Sequence, residues 1–177
     1  ITDPDPRTAG RGFAALKAAG ITVTQPVLAD SARTGLAGFF SRIEKQRPHV
    51  TLKLATSMDG CIAMADGSSR WITGAAARAH THLERARCDA ILESRSPRRI
   101  MLGSGAAPDG WEVIRAPHDI AHLNCNSVLV EGGAQTASAF LAAGLVDRLM
   151  LYRAPILIGN GKHSLNDIGL ATLDAAH

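Results

Sequence analysis

The stretch Val128-Leu129-Val130-Glu131-Gly132-Gly133-Ala134-Gln135-Thr136-Ala137 is the most informative part of this 177-residue chain. Its three apolar residues, two of them β-branched, predict a short buried strand. The two glycines predict a tight turn, and residues 134–143 predict a helix. Glycines let the backbone approach a ligand closely, and the N–H groups at a helix start carry partial positive charge, so the stretch favours an anion such as phosphate. A strand-to-helix turn without a ligand would use the same residues.

Composition and charge restrict the function classes. The hydrophobic fraction of 46% and the charged fraction of 20% are typical of a globular protein. The net charge of +3 is mild and the basic clusters lack interleaved aromatic residues, so we predict no nucleic-acid partner. A phosphorylated small molecule would suit this charge. No apolar run reaches the length of a membrane span and the first residues do not resemble a signal peptide, so we expect a cytoplasmic protein with no membrane partner.

The cysteines and histidines do not predict a metal site. Cys61, Cys88 and Cys125 are isolated in the sequence and odd in number, which favours reduced thiols over disulfides or a zinc site. His80 and His82 are two residues apart on a predicted helix and therefore do not face the same way.

Strands alternate with helices along the chain, which indicates an α/β fold with a largely parallel sheet. Residues 49–55 have a period-two pattern in which Val50, Leu52 and Leu54 share one face and Lys53 lies on the other. Thr73 is predicted to cap the helix that follows it. The pattern predicts helices over 12–19, 31–45, 75–87 and 134–143, and strands over 21–24, 49–55, 61–64, 89–92, 99–102, 128–130 and 146–152.

Three motifs in order connect the chain to a known family. They are Thr51-Leu52-Lys53-Leu54-Ala55-x-Ser57-x-Asp59-Gly60, then Gly67-x-Ser69-x-Trp71-Ile72-Thr73-Gly74, then Glu131-Gly132-Gly133. With these motifs, residues 48–177 resemble the reductase half of the bifunctional riboflavin-biosynthesis pyrimidine deaminase/reductase. The resemblance implies a dihydrofolate-reductase-like α/β fold, with a mixed, mainly parallel sheet flanked by helices, and a homodimer.

Residues 1–47 resemble the C-terminal part of the family's cytidine-deaminase-like domain, followed by a linker, on the motif Asp3-Pro4-x-Pro6-Arg7-x-Ala9-Gly10-x-Gly12. The sequence has neither the His-x-Glu nor the Pro-Cys-x-x-Cys motif with which such enzymes bind zinc and activate water. We therefore expect no deaminase activity from this chain, and zinc only if the intact protein has a complete deaminase half.

The reaction implied by the resemblance is the NADPH-dependent reduction of 5-amino-6-(5-phosphoribosylamino)uracil, a phosphoribosylaminopyrimidine, to its ribitylamino product. A guanidinium suits the substrate phosphate, and an aromatic ring offers a flat surface to a nicotinamide. The purely structural alternatives are that Arg85 is a solvated surface residue, that Glu131 forms an ion pair or caps a helix, and that Trp71 packs in the core. By resemblance, Ser69, Arg85 and Glu131 bind substrate, while Ala55, Trp71, Ser104, Gly132, Gly133, Ala134, Gln135, Thr136 and Ala137 bind the cofactor.

Two further assignments are not implied by the resemblance, and the first of them comes from facing and spacing. Lys53 and Asp59 are predicted to form a polar pair near the substrate. Arg98 and Arg99 either contact the extra ribose phosphate that distinguishes NADPH from NADH or form a solvated basic patch.

One departure from the family affects the catalytic assignment. After Leu92 the family continues with a Thr-Val-x-Ala-Asp-type loop that supplies cofactor and substrate contacts, but here Glu93-Ser94-Arg95-Ser96-Pro97 follows. We therefore assign no catalytic residue, and we predict that the natural protein carries residues here and before Asn124 that this sequence lacks, giving an intact mass above 18.6 kDa. The alternatives are a non-catalytic NADP-binding module and another dihydrofolate-reductase-like pterin or pyrimidine reductase.

Overall fold

A six-stranded parallel sheet forms the centre of the computed structural model, which describes residues 1–92 and 98–176. The strands in chain order are β1 (His49–Thr56), β2 (Cys61–Met64), β3 (Ala90–Leu92), β4 (Arg99–Leu102), β5 (Trp111–Ile114), β6 (Ser127–Val130), β7 (Arg148–Arg153) and β8 (Gly161–His163). The large sheet has the order β5-β4-β3-β6-β1-β7, and each neighbouring pair is parallel. The remaining two strands, β2 and β8, form an antiparallel pair.

Helices cover both faces of this sheet, as expected for an α/β fold. The α-helices are α1 (Arg11–Ala18), α2 (Ala29–Gly35), α3 (Ala37–Glu44), α4 (Ala75–Arg87) and α5 (Ala134–Ala142), and two 3₁₀ helices span Pro117–His122 and Leu173–Ala175. The mainly parallel, helix-flanked sheet confirms the predicted fold class.

The alternation of side chains along the strands divides the core between the two faces. On one face, Val50, Leu52 and Leu54 of β1 are buried with Ala137 and Phe140 of α5. On the other face, α4 covers a smaller cluster that contains Ile91, Leu129 and Met150. Lys53 lies on this second side, as its position in the period-two pattern predicted.

The parallel arrangement brings the ends of the strands together. Because all six strands run the same way, the residues that follow them lie at one edge of the sheet, where α/β proteins bind their ligands. We call this the carboxyl edge, and Ser57, Gly103, Arg115 and Glu131 mark it after β1, β4, β5 and β6.

Several predicted elements differ in the structure. Residues 21–24 form no strand, and the predicted helix 31–45 is two helices separated at Leu36, whose φ of −112° is not helical. Gly35 and Gly38 flank this break, and glycine is a poor helix former. The predicted cap from Thr73 is also wrong, because Gly74 occupies the N-cap position of α4 and no side chain bonds to that helix start.

Two strands, β5 and β8, were not predicted. Gly161 opens β8 and lies so close to β2 that a Cβ atom on it would be 2.5 Å from the Ala63 carbonyl oxygen. Within the described ranges, no helix combines the length and the apolar character needed to cross a bilayer. The unusual stretch after Leu92, residues 93–97, lies outside the described residues.

Candidate functional site

Glu131 and Arg85, both predicted to bind substrate, contact each other at the carboxyl edge. Glu131 directly follows β6, and its backbone N–H donates to the Leu92 carbonyl at 3.3 Å. The Glu131 side chain is only 5% exposed, and Arg85 of α4 donates to both its oxygens, from Nε at 2.6 Å and from Nη2 at 3.2 Å. A buried carboxylate requires such a partner, so Arg85 orients Glu131 through two hydrogen bonds.

Lys53 brings a second cation to this pair. Burial lowers the pKa of the Lys53 ammonium, the Glu131 carboxylate partly opposes this shift, and Arg85 adds to it. The three groups therefore interact electrostatically. The Lys53 Nζ also lies 6.0 Å from the centre of the Tyr152 ring, at the outer limit of a cation–π contact.

Tyr152 and His80 extend the same cluster, although no sequence motif indicated either as a site residue. The Tyr152 hydroxyl lies 2.7 Å from His80 Nδ1 and donates to Met150 Sδ at 3.3 Å. The two aromatic residues are 72 positions apart in the chain, so neither belongs to a local motif. Only the pairing of β1 with β7, which aligns Ala55 with Tyr152, could have indicated this proximity.

A buried carboxylate of α4 itself, on the residue before Arg85, positions this helix against the sheet. Glu84 is 5% exposed and accepts hydrogen bonds from Arg87 at 2.8 Å and from Arg148 of β7 at 3.0 Å. Because Arg148 belongs to the sheet, this ion pair fixes the register of the helix against β7.

The start of α5 lies beside Glu131 and is suited to an anion. Gly133 is its N-cap in an extended conformation, no side chain caps the helix, and its first turn has no acidic residue. Within the described part of the chain, the backbone N–H groups of Ala134 and Gln135 make no hydrogen bond. Such free donors at the positive end of a helix fit a phosphate group.

The other residues of this run are placed differently. Gly132 is buried and Thr136 is mostly buried, while Ala137 is fully buried in the core. The Ala137 N–H donates to the Gly133 carbonyl at 3.0 Å. Ala134 and Gln135 therefore have backbone N–H groups that are open to a ligand at this helix start.

Trp71 and Ser69 lie on an exposed segment before α4. Trp71 is 69% exposed, so the alternative of ordinary core packing is wrong. The Arg78 guanidinium stacks 4.6 Å from the ring centre and donates to the Thr73 carbonyl at 2.7 Å, which steadies the exposed ring. Ser69 is likewise exposed, as is Ser104 after β4, whereas Ala55 of β1 is half-buried.

The predicted pair between Lys53 and Asp59 is not formed. Asp59 instead accepts hydrogen bonds from the Ser57 hydroxyl at 2.6 Å and from the Gly159 N–H at 2.7 Å. These hydrogen bonds lower the pKa of Asp59 to about 2. Asp59 therefore joins the turn after β1 to the segment before β8, a role that its spacing from Lys53 did not reveal.

Arg98 and Arg99 also lie away from the candidate site. They are at the amino end of β4, on the opposite side of the sheet from the carboxyl edge, and Arg98 is paired with Glu112. In residues 1–92 and 98–176, no three or more histidine, cysteine, aspartate or glutamate side chains are grouped as metal ligands.

Comparison with known proteins assigns the family. The sequence model of the RibD C-terminal domain family matches residues 48–109 and 118–177. The chain belongs to this family. The riboflavin biosynthesis protein RibD of Mycobacterium tuberculosis is 34% identical over 217 residues, which include 99% of this chain and 62% of that protein.

Solved RibD structures have the same fold. The structure of a RibD of Acinetobacter baumannii matches this chain with a TM-score of 0.84 and 28% identity, and the match covers 99% of this chain and 65% of the RibD chain. A diaminohydroxyphosphoribosylaminopyrimidine deaminase/5-amino-6-(5-phosphoribosylamino)uracil reductase of Thermotoga maritima matches 96% of this chain and 63% of its own with a TM-score of 0.81 and 25% identity.

The chain spans about three fifths of the length of the curated RibD proteins it matches. The aligned region of the Mycobacterium tuberculosis RibD, 217 residues, is longer than this whole chain. That relative therefore has residues within the aligned region that have no counterpart here. The alignment also extends through residues 1–47, which the RibD C-terminal domain model does not cover.

Proposed function

We propose that this chain reduces 5-amino-6-(5-phosphoribosylamino)uracil to its ribitylamino product with NADPH, as the reductase part of riboflavin biosynthesis. The observation that carries the proposal is the convergence at the carboxyl edge of the Glu131–Arg85 pair, Lys53 and the free N–H groups at the start of α5. The reductase named for the Thermotoga maritima relative supports the same reaction.

The residues at this edge fit a phosphorylated nicotinamide cofactor. Ala134 and Gln135 would hold its pyrophosphate through their backbone N–H groups. The exposed face of Trp71 would pack against an aromatic ring of the cofactor. When bound, NADPH supplies the hydride for the sugar carbon.

The protein's own contribution is to orient the substrate and to handle one proton. In the ring-opened substrate, C1 of the sugar is doubly bonded to the amino nitrogen carried by the pyrimidine. When C1 accepts a hydride, the electron pair of the C=N double bond moves to this nitrogen, where negative charge develops and which must then gain a proton. The Lys53 ammonium stabilises this charge and donates the proton, and its lowered pKa makes it a better acid than an ordinary lysine. Glu131, fixed by Arg85, accepts hydrogen bonds from the substrate hydroxyls.

We further propose that the enzyme is a cytoplasmic homodimer. The free thiols of Cys61, Cys88 and Cys125 are consistent with a reducing compartment. The edge strand β7 exposes apolar side chains, and a second copy of the chain would cover them.

The test is NADPH oxidation, followed by absorbance, with the uracil substrate present and then omitted. Substrate-dependent oxidation is the expected result. Cofactor binding without oxidation would contradict the proposal and favour the non-catalytic module, while oxidation driven better by a pterin would favour another reductase of the same fold. Intact mass measured on the same sample distinguishes an inert module from a truncated enzyme.

A further inference from the structure

The side chain of Arg115, which has no role in the reaction above, lies at the carboxyl edge. Arg115 directly follows β5, beside the loop that follows β4. Its Nη1 donates to the carbonyl oxygens of Gly103 at 2.9 Å and Gly105 at 3.2 Å. Since these two carbonyls flank Ser104, the guanidinium lies next to that exposed serine.

Most of the hydrogen-bonding capacity of this guanidinium is unused. Within residues 1–92 and 98–176, Nε and Nη2 of Arg115 donate to no acceptor, and no carboxylate lies within ion-pair distance. Glu112, three residues before Arg115, pairs with Arg98, and Asp119, four residues after it, accepts hydrogen bonds from the backbone N–H groups of Arg115 and Ala116 at 2.8 and 2.9 Å. The backbone is thus fixed while the guanidinium presents two donors to solvent.

The order of the strands places this arginine on one side of the phosphate site. The start of α5 follows β6, and β3, β4 and β5 lie successively beyond it, at roughly 4.8 Å per strand. The loop after β4 is therefore about 10 Å from the helix start. Lys53 lies on β1, the neighbour of β6 on the other side. A dinucleotide with its nicotinamide near Lys53 would extend its adenosine half towards Ser104 and Arg115.

We propose that Arg115 and Ser104 bind the 2′-phosphate on the adenosine ribose and thereby select NADPH over NADH. The inference rests on the proposed function, because it takes the nicotinamide to lie near Lys53. A guanidinium gives a phosphate two parallel charge-assisted hydrogen bonds, and the serine hydroxyl adds a third. Arg98 and Arg99 cannot serve here, since they lie at the opposite edge of the sheet.

The experiment compares adenosine 2′,5′-bisphosphate with 5′-AMP by calorimetry. Wild type should bind the bisphosphate more tightly, and Arg115→Ala should weaken that binding about 10–100-fold while leaving 5′-AMP unchanged. Arg42→Ala is the matched control, because the Arg42 Nη1 also donates to a backbone carbonyl, that of Ala121, but from α3. This control should leave both affinities unchanged.

Three results would overturn the inference. Wild type could bind the two nucleotides equally, or Arg115→Ala could keep the wild-type preference for the bisphosphate. Arg115→Ala could also bind both nucleotides more weakly by the same factor, which would show that the arginine only supports the loop. Ser104→Ala, expected to lose about fivefold of the bisphosphate affinity, tests the site if Arg115→Ala does not fold. The reductase assay is independent: failure to oxidise NADPH would contradict the proposed function but not the bisphosphate preference.

Discussion

At the scale of single residues, the buried carboxylate of Glu131 is the most sensitive point of the proposed site. Glu131→Gln keeps the shape of the side chain but removes the negative charge that interacts with Arg85 and Lys53. We expect kcat/KM to fall at least ~100-fold, since a positioned charged group in a water-poor site typically contributes on this scale. Steady-state kinetics with the uracil substrate measures the change.

The matched control is Glu112→Gln, because Glu112 also pairs with an arginine but is 45% exposed. It should change kcat/KM less than twofold. Equal losses in both variants would mean that Glu131 acts only through the stability of the fold.

Lys53 gives a pH-dependent prediction. If its protonated form donates the proton, kcat must fall as the pH rises through the Lys53 pKa, which burial lowers below the usual lysine value. The alkaline decline should therefore begin at a lower pH than an ordinary lysine would give. In Lys53→Arg kcat should be lower and the decline should disappear, because an arginine remains protonated over the accessible range and is too weak an acid to donate the proton. A pH profile with the same alkaline limb in both proteins would contradict the assignment.

At the scale of elements, the first turn of α5 can be tested without disturbing the helix. Ala134 is the first helical residue, and proline is well tolerated there because its fixed φ suits a helix start. Ala134→Pro removes one N–H donor, so we expect NADPH to bind about 10–100-fold more weakly, as for the loss of one hydrogen bond to a charged group. The melting temperature should stay within a few degrees.

Ala134→Gly is the control for this helix start, because it retains the N–H. Calorimetric titration with NADPH that gives the same affinity for both variants would show that the Ala134 donor does not bind the cofactor.

Elements with a clear period were predictable from sequence, and elements defined by distant partners were not. The strand around Leu52 was predicted because its period-two apolar spacing extends over residues 49–55. The helix 75–87 was instead predicted from a cap at Thr73 that the structure does not form. Residues 21–24 alternate like a strand, yet no neighbouring strand pairs with them. Strand β5 has only four residues and follows a loop rich in glycine and proline, so only its pairing with β4 identifies it as a strand.

The residues of the candidate site also divide into those that could be predicted from sequence and those that depend on distant partners. The family resemblance located Glu131, Arg85 and the Gly-Gly turn, each of which lies at the carboxyl edge. Tyr152 and Arg115 were missed because they approach the site through the strand order rather than through local sequence. The predicted pair between Asp59 and Lys53 was wrong because Asp59 accepts hydrogen bonds from residues 158–159. This segment is distant in the sequence, so the spacing of Lys53 and Asp59 could not indicate it.

At the scale of the whole molecule, Asp147 attaches the segment before residue 48 to the sheet. Its side chain is 7% exposed and accepts hydrogen bonds from Arg47 at 2.6 Å, Lys45 at 2.6 Å and the Val50 N–H at 2.9 Å. Burial works against the charged form, but these hydrogen bonds outweigh it and lower the pKa of Asp147 far below its usual value. The carboxylate thus stabilises the junction between the two parts of the chain.

Asp147→Asn should lower the free energy of unfolding by about 3 kcal/mol at neutral pH, because it leaves a mostly buried arginine without its counter-charge. A carboxyl whose pKa is lowered by folding stabilises the protein above its unfolded pKa and loses that contribution as the pH falls. The difference between wild type and variant should therefore be full at pH 7 and shrink below about pH 5. Urea unfolding at several pH values measures it, and a difference that stays constant with pH would contradict the role of the charge.

The exposed edge of the sheet provides the test of the proposed homodimer. Strand β7 pairs only with β1 among the described strands, and its Leu149 and Leu151 are 53% and 44% exposed on one face. An unpaired apolar edge favours pairing with a second copy about a two-fold axis. Light scattering should give twice the chain mass for wild type and once that mass for Leu151→Lys, since a lysine on an edge strand opposes pairing. Leu173→Lys, at a leucine that is 89% exposed near the end of the chain, should remain dimeric. A monomeric wild type would exclude the homodimer. A dimer that survives Leu151→Lys would place the interface elsewhere, and in both cases the apolar edge would need another partner.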